Sequence, residues 1–330
     1  MRCTVLGAGS WGTALAMQLA RRGHETTIWD RNPGRCAHIN QHHKNPRYLR
    51  DMALPVGLRA ESDLSVAVTD AELIVPVVPS HALREVMEHA APHIAPSAGV
   101  CCASKGIEED TLQTMYEASC NTLPHPERIT VLYGPSFALE VAKNLPTAVV
   151  VAGPDEASHL AADAFHSDLF RCYHTEDVMG VCMGGSLKNV MAIACGVGDG
   201  VGLGANARAG LITRGLAEIT RLAVAMNANP LTMMGLAGMG DLVLTCTVDL
   251  SRNRRVGLAL GQGRTLEDIL EELGEVAEGV VTTRSAYRLS QKLGIEMPIT
   301  EQIHALLYES KPVGEAVKDL MRRDRRAERD

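Results

Sequence analysis

Six residues near the amino terminus, Gly7-Ala8-Gly9-Ser10-Trp11-Gly12, restrict the folds open to this chain. They follow a short apolar run at residues 3–6 and open a helical pattern at residues 13–22. A strand, a G-x-G-x-x-G turn and a helix in that order make the dinucleotide-binding start of a βαβ unit. Gly7 permits the tight turn, Gly9 lets a pyrophosphate approach the backbone, and Gly12 lets helix and strand pack closely. The amides at the start of the helix then bind the phosphates. A plain strand-to-helix turn is the other reading. The position directly after a first strand favours the dinucleotide.

The first half of the chain repeats this rhythm. Apolar runs at residues 26–29, 73–78, 100–103, 130–132 and 148–151 read as strands. Most lack polar alternation, as strands of a parallel sheet covered on both faces do. Helical stretches lie between several of them. After about Thr175 long helical patterns take over. Ile212, Leu216, Ile219, Ala223 and Met226 form an apolar helix stripe, which leaves Arg214, Glu218 and Arg221 to face water. Leu266, Ile269, Leu270 and Leu273 form a second stripe. The expected fold is therefore α/β: a Rossmann-type parallel-sheet domain over residues 1–178, then an all-α domain over residues 179–330. The charged tail at residues 322–330 reads as a solvated end.

Composition narrows the function. With 330 residues, 46% of them hydrophobic, the chain can bury a core that needs no disulfide or metal staple. Aromatic residues are only 3%, so base-stacking platforms for nucleic acid are not expected. A net charge of −7 also argues against nucleic acid. A small anionic substrate would need a local cluster of basic groups. The nine cysteines are odd in number and lack a C-x-x-C pair, which suits reduced thiols in a cytoplasmic protein. His89 and His93 have helix-face spacing, but Pro92 lies between them and no third ligand is near, so no metal is expected. Met1 leads straight into the first strand, so no targeting segment is expected. The apolar runs, such as 73–78, are too short to span a bilayer.

The second strand ends at Trp29-Asp30-Arg31. Asp30 stands where an acid binds the ribose hydroxyls of NAD, while Arg31 suits the 2′-phosphate of NADP. Either cofactor is expected to work. Hydride transfer at an alcohol carbon also needs a group that handles the hydroxyl proton. Lys188 lies in an apolar helical pattern, with Gly184, Met191, Ala192 and Cys195 as its helix-face neighbours. Burial there lowers its pKa from about 10.4 toward neutrality, a change worth roughly 4 kcal/mol. A lysine that snorkels to the surface is the alternative. Ser251-Arg252-Asn253 offers an N-cap, free helix amides and a guanidinium together, a combination suited to a phosphate monoester. It also fits an ordinary capped helix with a basic surface. Asp241, in Gly238-Met239-Gly240-Asp241, is either a turn residue or a carboxylate held near the lysine.

Together with Val78-Pro79-Ser80, Ser104-Lys105-Gly106-Ile107-Glu108, Gly134-Pro135-Ser136-Phe137-Ala138, Asn206-Ala207-Arg208-Ala209 and Ala277-Glu278-Gly279, these motifs are ordered along about residues 2–320. In that order the chain resembles the bacterial NAD(P)-dependent glycerol-3-phosphate dehydrogenases. The resemblance implies interconversion of sn-glycerol 3-phosphate and dihydroxyacetone phosphate with NAD or NADP, in support of glycerophospholipid synthesis. It implies that Ser10, Trp11 and Arg31 contact the cofactor, and that Lys105 reaches both cofactor and substrate. Gly134 and Ser136 would help hold glycerol phosphate, and Ala138 would line the cofactor site. Lys188 matches the family's proton acceptor, and Asp241 would hold substrate near it. Ser251, Arg252 and Asn253 would grip the phosphate, with Arg252 also near the cofactor. Val276 and Glu278 match positions that close over the dinucleotide. Asn189 and Thr245 are further substrate contacts on the same ground, and a homodimer is the implied assembly. Two other readings are a related hydroxy-acid or ketopantoate-type reductase, which the Ser251-Arg252-Asn253 cluster disfavours, and a non-catalytic dinucleotide sensor, which Lys188 and Asp241 disfavour.

Overall fold

The computed structural model describes residues 1–274, 277–324 and 327–328. Val276, expected over the dinucleotide, lies outside the described residues. The chain begins with an eight-stranded sheet: β1 (Arg2–Leu6), β2 (Glu25–Trp29), β3 (Leu58–Glu61), β4 (Leu73–Pro76), β5 (Gly99–Cys102), β6 (Ile129–Tyr133), β7 (Thr147–Ala152) and β8 (Phe170–Thr175). Their spatial order is β3-β2-β1-β4-β5-β6-β7-β8. The order reverses between β1 and β4, which opens a crevice at the carboxyl ends of the strands.

Seven helices accompany the sheet. They are α1 (Ser10–Arg21), α2 (Pro33–His42), α3 (Leu64–Val68), α4 (Leu83–Ala90), α5 (Met115–Thr122), α6 (Ala138–Ala142) and α7 (Asp155–Phe165). Cys3 and Val5 of β1 point into one core with Leu15 and Leu19 of α1, while Leu6 points into another with Leu83 and Met87 of α4. Both faces of the sheet are thus covered, which is why its central strands read as unbroken apolar runs.

The sheet departs from the expected one in two ways. β7 runs antiparallel to β6, although the other pairs are parallel. An apolar run gives no direction, so the sequence did not reveal the reversal. The edge strands β3 and β8 also escaped notice. Their sequences, Leu-Arg-Ala-Glu and Phe-Arg-Cys-Tyr-His-Thr, are half polar because one side meets solvent.

The remaining helices are α8 (Val178–Gly200), α9 (Gly204–Ala225), α10 (Asp241–Thr247), α11 (Arg252–Gly261), α12 (Leu266–Leu273), α13 (Glu278–Leu293), α14 (Pro298–Tyr308) and α15 (Val313–Met321). They surround α8, which packs on α9, α10, α11 and α13. α8 is long and apolar enough to cross a membrane by length and composition, which corrects the expectation that every apolar run is short. Yet 89% of its most apolar window is buried inside the protein, as the centre of a helical core requires. α8 and α11 meet backbone to backbone. A Cβ on Gly257 would stand 2.0 Å from Ile193 O, and one on Gly196 would stand 2.1 Å from Arg254 O. This close approach fixes the start of α11 relative to the middle of α8.

Glu218 also corrects the helix-stripe reading. It is buried, and its carboxylate accepts from the amides of Ile299 (2.6 Å) and Thr300 (3.2 Å). It thereby caps the start of α14 from a neighbouring helix, a tertiary role that periodicity along α9 cannot show. Burial pushes its carboxyl up to about 7, against the opposing effect of those amides.

Candidate active site

A cleft of about 1320 Å³ runs from the glycine loop, across the carboxyl ends of β1 and β4, to the starts of α11 and α13. It exceeds the roughly 300–1,000 Å³ of ordinary small-ligand pockets, so it has room for a dinucleotide beside a small substrate. At one end, the turn after β1 leads directly into α1. Gly7 has a φ of +119°, and a Cβ on Gly12 would stand 1.9 Å from Gly7 O. The loop can adopt this path only with glycine at both positions. Gly9 faces open space and caps α1 without a side chain, so the first amides of the helix remain open to the cleft. Trp11 Nε1 is a buried donor with no partner among the described residues. An anionic dinucleotide fits this end: it supplies phosphates for the amides, and it can offer an acceptor to the indole.

Asp30 and Arg31 both line the cleft. Asp30 does not present a free carboxylate, however. Asn32 N donates to its Oδ1 at 2.9 Å, and Arg35 Nη1 donates to its Oδ2. Arg35 was not singled out in the sequence, nor were Arg47 and Tyr48, which also line this end. The guanidinium carbons of Arg35 and Arg47 lie 5.6 and 5.3 Å from the centroid of the Tyr48 ring. Arg47 and Tyr48 fall in an irregular stretch between α2 and β3, where no periodicity marks a position.

At the other end lies a charge cluster built by three separate segments. Lys188 projects from α8, Asp241 begins α10 after a π-helical turn at Leu236–Gly240, and Lys105 follows β5. Lys188 Nζ donates to Asp241 Oδ1, and Lys105 Nζ donates to Asp241 Oδ2 at 3.0 Å. Asp241 is 1% exposed and Lys188 8%. The snorkelling alternative is thus excluded, although both lysines still line the cleft. Asp241 is a buried counter-charge, not a surface turn residue. Burial pushes the Lys188 amine down to about 8; Asp241 opposes that shift, and Lys105 adds to it. The helix-face neighbours of Lys188 are uncharged as expected, but its charged neighbours arrive from other elements. Lys105 Nζ also lies 5.2 Å from the centroid of the Tyr133 ring. Thr245 Oγ1 donates to Asp241 O at 2.6 Å, so it braces Asp241 from behind.

The start of α11 forms the far wall. Arg252, Asn253 and Asn189 line the cleft beside Lys188. Ser251 is the N-cap, and its Oγ accepts from Arg254 N at 3.2 Å. Its hydroxyl therefore completes the helix and does not line the cleft. Asn253 Oδ1 accepts from Gly279 N at 2.9 Å, which ties α11 to α13. Glu278 reaches from α13 to the sheet region, where Ser80 Oγ donates to its Oε2 at 2.7 Å. Burial raises the Glu278 carboxyl above its ordinary value, and the hydrogen bonds from Ser80 oppose this.

Ser136 lines the cleft, whereas Gly134 and Ala138 do not. Gly134 has a φ of +141° and packs against Val149. Ala138 starts α6 and rests on the core beside α1. The structure thus gathers Lys105, Ser136, Lys188, Arg252, Asn253 and Glu278 into one cleft with the glycine loop. Asp241, Thr245 and Ser251 stand just behind it.

Two family models match the chain. The N-terminal model of NAD-dependent glycerol-3-phosphate dehydrogenase covers residues 2–159, and the C-terminal model covers residues 177–318. The chain belongs to this family. Its relatives include glycerol-3-phosphate dehydrogenase [NAD(P)+] of Anaeromyxobacter dehalogenans (strain 2CP-C), 53% identical over 99% of this chain and all of that one. The protein of the same name from Syntrophotalea carbinolica is 50% identical, with both chains fully covered. The crystal structure of glycerol-3-phosphate dehydrogenase from Coxiella burnetii superposes with a TM-score of 0.93 at 40% identity, over 98% of this chain and 99% of that one. A ketopantoate reductase from Ralstonia eutropha, 18% identical with a TM-score of 0.62, shares the fold alone.

Proposed function

We propose that this member of the glycerol-3-phosphate dehydrogenase family interconverts sn-glycerol 3-phosphate and dihydroxyacetone phosphate with NAD(H) or NADP(H). The observation that carries the reading is the buried Lys188 amine on a dinucleotide-sized cleft, with Arg252 and Asn253 at a helix start beside it. The domain at residues 1–178 binds the cofactor, and the helical domain at residues 179–330 supplies the proton-transfer lysine and the phosphate anchor. Gly7, Gly9, Ser10, Trp11 and Gly12 form the pyrophosphate end, with Asp30 and Arg31 toward the adenosine. The engagement of Asp30 by Arg35, with Arg31 beside it, supports use of both cofactors.

When bound, the nicotinamide accepts or supplies the hydride. The protein's own part is to hold the substrate and move one proton. Arg252 and Asn253, with the amides of the α11 start, bind the phosphate and fix the substrate. In oxidation, neutral Lys188 takes the proton of the C2 hydroxyl. In reduction, the same amine, protonated, gives it to the carbonyl oxygen. Asp241 orients that amine through Oδ1 and positions Lys105 through Oδ2. Both lysines offset negative charge that builds on the reacting oxygen. Ser136 adds a hydroxyl to the substrate end, Gly134 and Ala138 shape the wall behind it, and Ser251 acts through the cap. Glu278, held by Ser80, closes over the cofactor. In the cell the reaction supplies the glycerol backbone of phospholipids. A cytoplasmic homodimer is the assembly we expect.

The test is reduction of dihydroxyacetone phosphate, followed as loss of reduced cofactor, with NADH and NADPH in turn and ketopantoate as the competing substrate. Turnover of the triose phosphate with both cofactors supports the reading. Turnover of ketopantoate alone would overturn it, and turnover with NADH alone would remove the role of Arg31.

A further inference from the structure

The outer edge of the sheet carries a second cluster of coordinating groups, and none of it lines the cleft. Asp155 and His159 stand one turn apart on α7, and His174 lies near the end of the edge strand β8. One ligand atom from each lies within 4.8 Å of the other two. His159 Nε2 is 3.3 Å from Asp155 Oδ1. The His159 and His174 ring centroids are 4.1 Å apart. All three residues are exposed, so an ion in solution reaches them directly.

We propose that Asp155, His159 and His174 form a surface site for a divalent transition-metal ion of the zinc class. The donor set decides the class. Two imidazole nitrogens and one carboxylate oxygen suit zinc and its late first-row neighbours, whereas calcium and magnesium take sets made of oxygen. The spacing agrees. Zinc bonds of about 2.0–2.2 Å in a tetrahedron place neighbouring ligand atoms roughly 3.3–3.6 Å apart. Asp155 and His159 already have that separation. His174, exposed and with a ligand atom within 4.8 Å of both, completes the set by turning its side chain toward them. A helical i, i+4 ion pair accounts for Asp155 and His159 alone. It gives no reason for a second imidazole from another element to lie against the first.

The backbone under the three ligands is regular. β8 pairs with β7 over six residues, and Phe165 of α7 and Phe170 of β8 share one core. Three protein ligands leave a fourth position for water. The bound ion would tie α7 to an edge strand that has a sheet neighbour on one side only.

The test is zinc binding by the full chain at neutral pH, compared with the His159→Ala, His174→Ala double variant by isothermal titration calorimetry. Both proteins keep all nine cysteines, so zinc held by thiols registers equally in each. The wild type should bind one more equivalent than the double variant. The single variant His174→Ala should bind that equivalent at least about tenfold more weakly, because even the loss of an outer-sphere partner costs about 10–100-fold. Reduction of dihydroxyacetone phosphate should be unchanged in both variants, which shows that they fold. Equal zinc uptake by wild type and double variant, or magnesium uptake at the same site, would overturn the proposal.

Discussion

Lys188 donates from Nζ to Oδ1 of Asp241, which pairs a buried amine from the middle of α8 with a buried carboxylate at the start of α10. The pair resolves a conflict within the site. Desolvation makes the neutral amine accessible near pH 8, and the carboxylate keeps the amine in place in its charged form. Replacing Lys188 with Ala should lower turnover at least about 100-fold, within the range expected for loss of an acid–base group. NADH affinity, measured by fluorescence titration, should stay within about twofold, because the glycine loop lies at the other end of the cleft. Near-normal turnover would remove Lys188 from the reaction.

Arg252 opens α11 and lines the cleft beside Asn253. Arg252→Ala should raise the KM for dihydroxyacetone phosphate roughly 10- to 100-fold, because a hydrogen bond to a charged group contributes about 1.5–3 kcal/mol. Steady-state kinetics at saturating NADH measure this. An unchanged KM would contradict the phosphate anchor.

The contact between α8 and α11 can be tested without touching the chemistry. A Cβ at position 257 would collide with the backbone of α8 at Ile193. Gly257→Ala should therefore destabilise the protein by about 1–3 kcal/mol, as overpacking does. Gly314→Ala, in α15 with nothing within 4 Å of its Cβ, should stabilise it by about 0.5–1 kcal/mol. Urea denaturation of the two variants gives opposite signs on this account. A Gly257→Ala variant as stable as the wild type would mean that the helices do not meet as closely as described.

Glu218 gives a stability prediction with a definite sign. Its folded pKa, about 7, lies above the ordinary 4.5. The folded state therefore binds this proton more tightly than the unfolded state. That contribution is fully present below about pH 4.5 and is lost as pH rises through about 7. It amounts to about 3 kcal/mol at most. Glu218→Gln keeps an acceptor for the α14 amides and removes the titration. Relative to this variant, the wild type should lose stability across that window. Parallel stability profiles would contradict the burial of an ionisable Glu218.

The parts of the fold visible in the sequence were those set by local pattern. The glycine loop, the central strands β1, β2 and β4 to β7, the stripe of α12 and the Ser251 cap all follow from neighbours within a few residues. The parts that stayed hidden depend on distant partners. The direction of β7, the edge strands β3 and β8, and the inward turn of Glu218 toward Ile299 leave no periodic trace. The same division holds at the site. Lys188 could be singled out because a lysine interrupts an apolar helix. Its link to Asp241, 53 residues away, was one of two readings open in the sequence, and the fold decided between them; the engagement of Asp30 by Arg35 left no trace there. Tyr48, in an irregular segment, carried no signal at all.

The pH dependence of the two directions of the reaction tests the central claim about Lys188 most directly. Oxidation needs the neutral amine, and reduction needs the protonated one. The kcat/KM for oxidation of sn-glycerol 3-phosphate should rise with pH through about 8 and then level off. The kcat/KM for reduction of dihydroxyacetone phosphate should be level below that point and fall above it. Mirror-image profiles with a common inflection are the predicted result. Profiles of the same shape in both directions, or none with an inflection near pH 8, would contradict the assignment of Lys188 as the proton-transfer group.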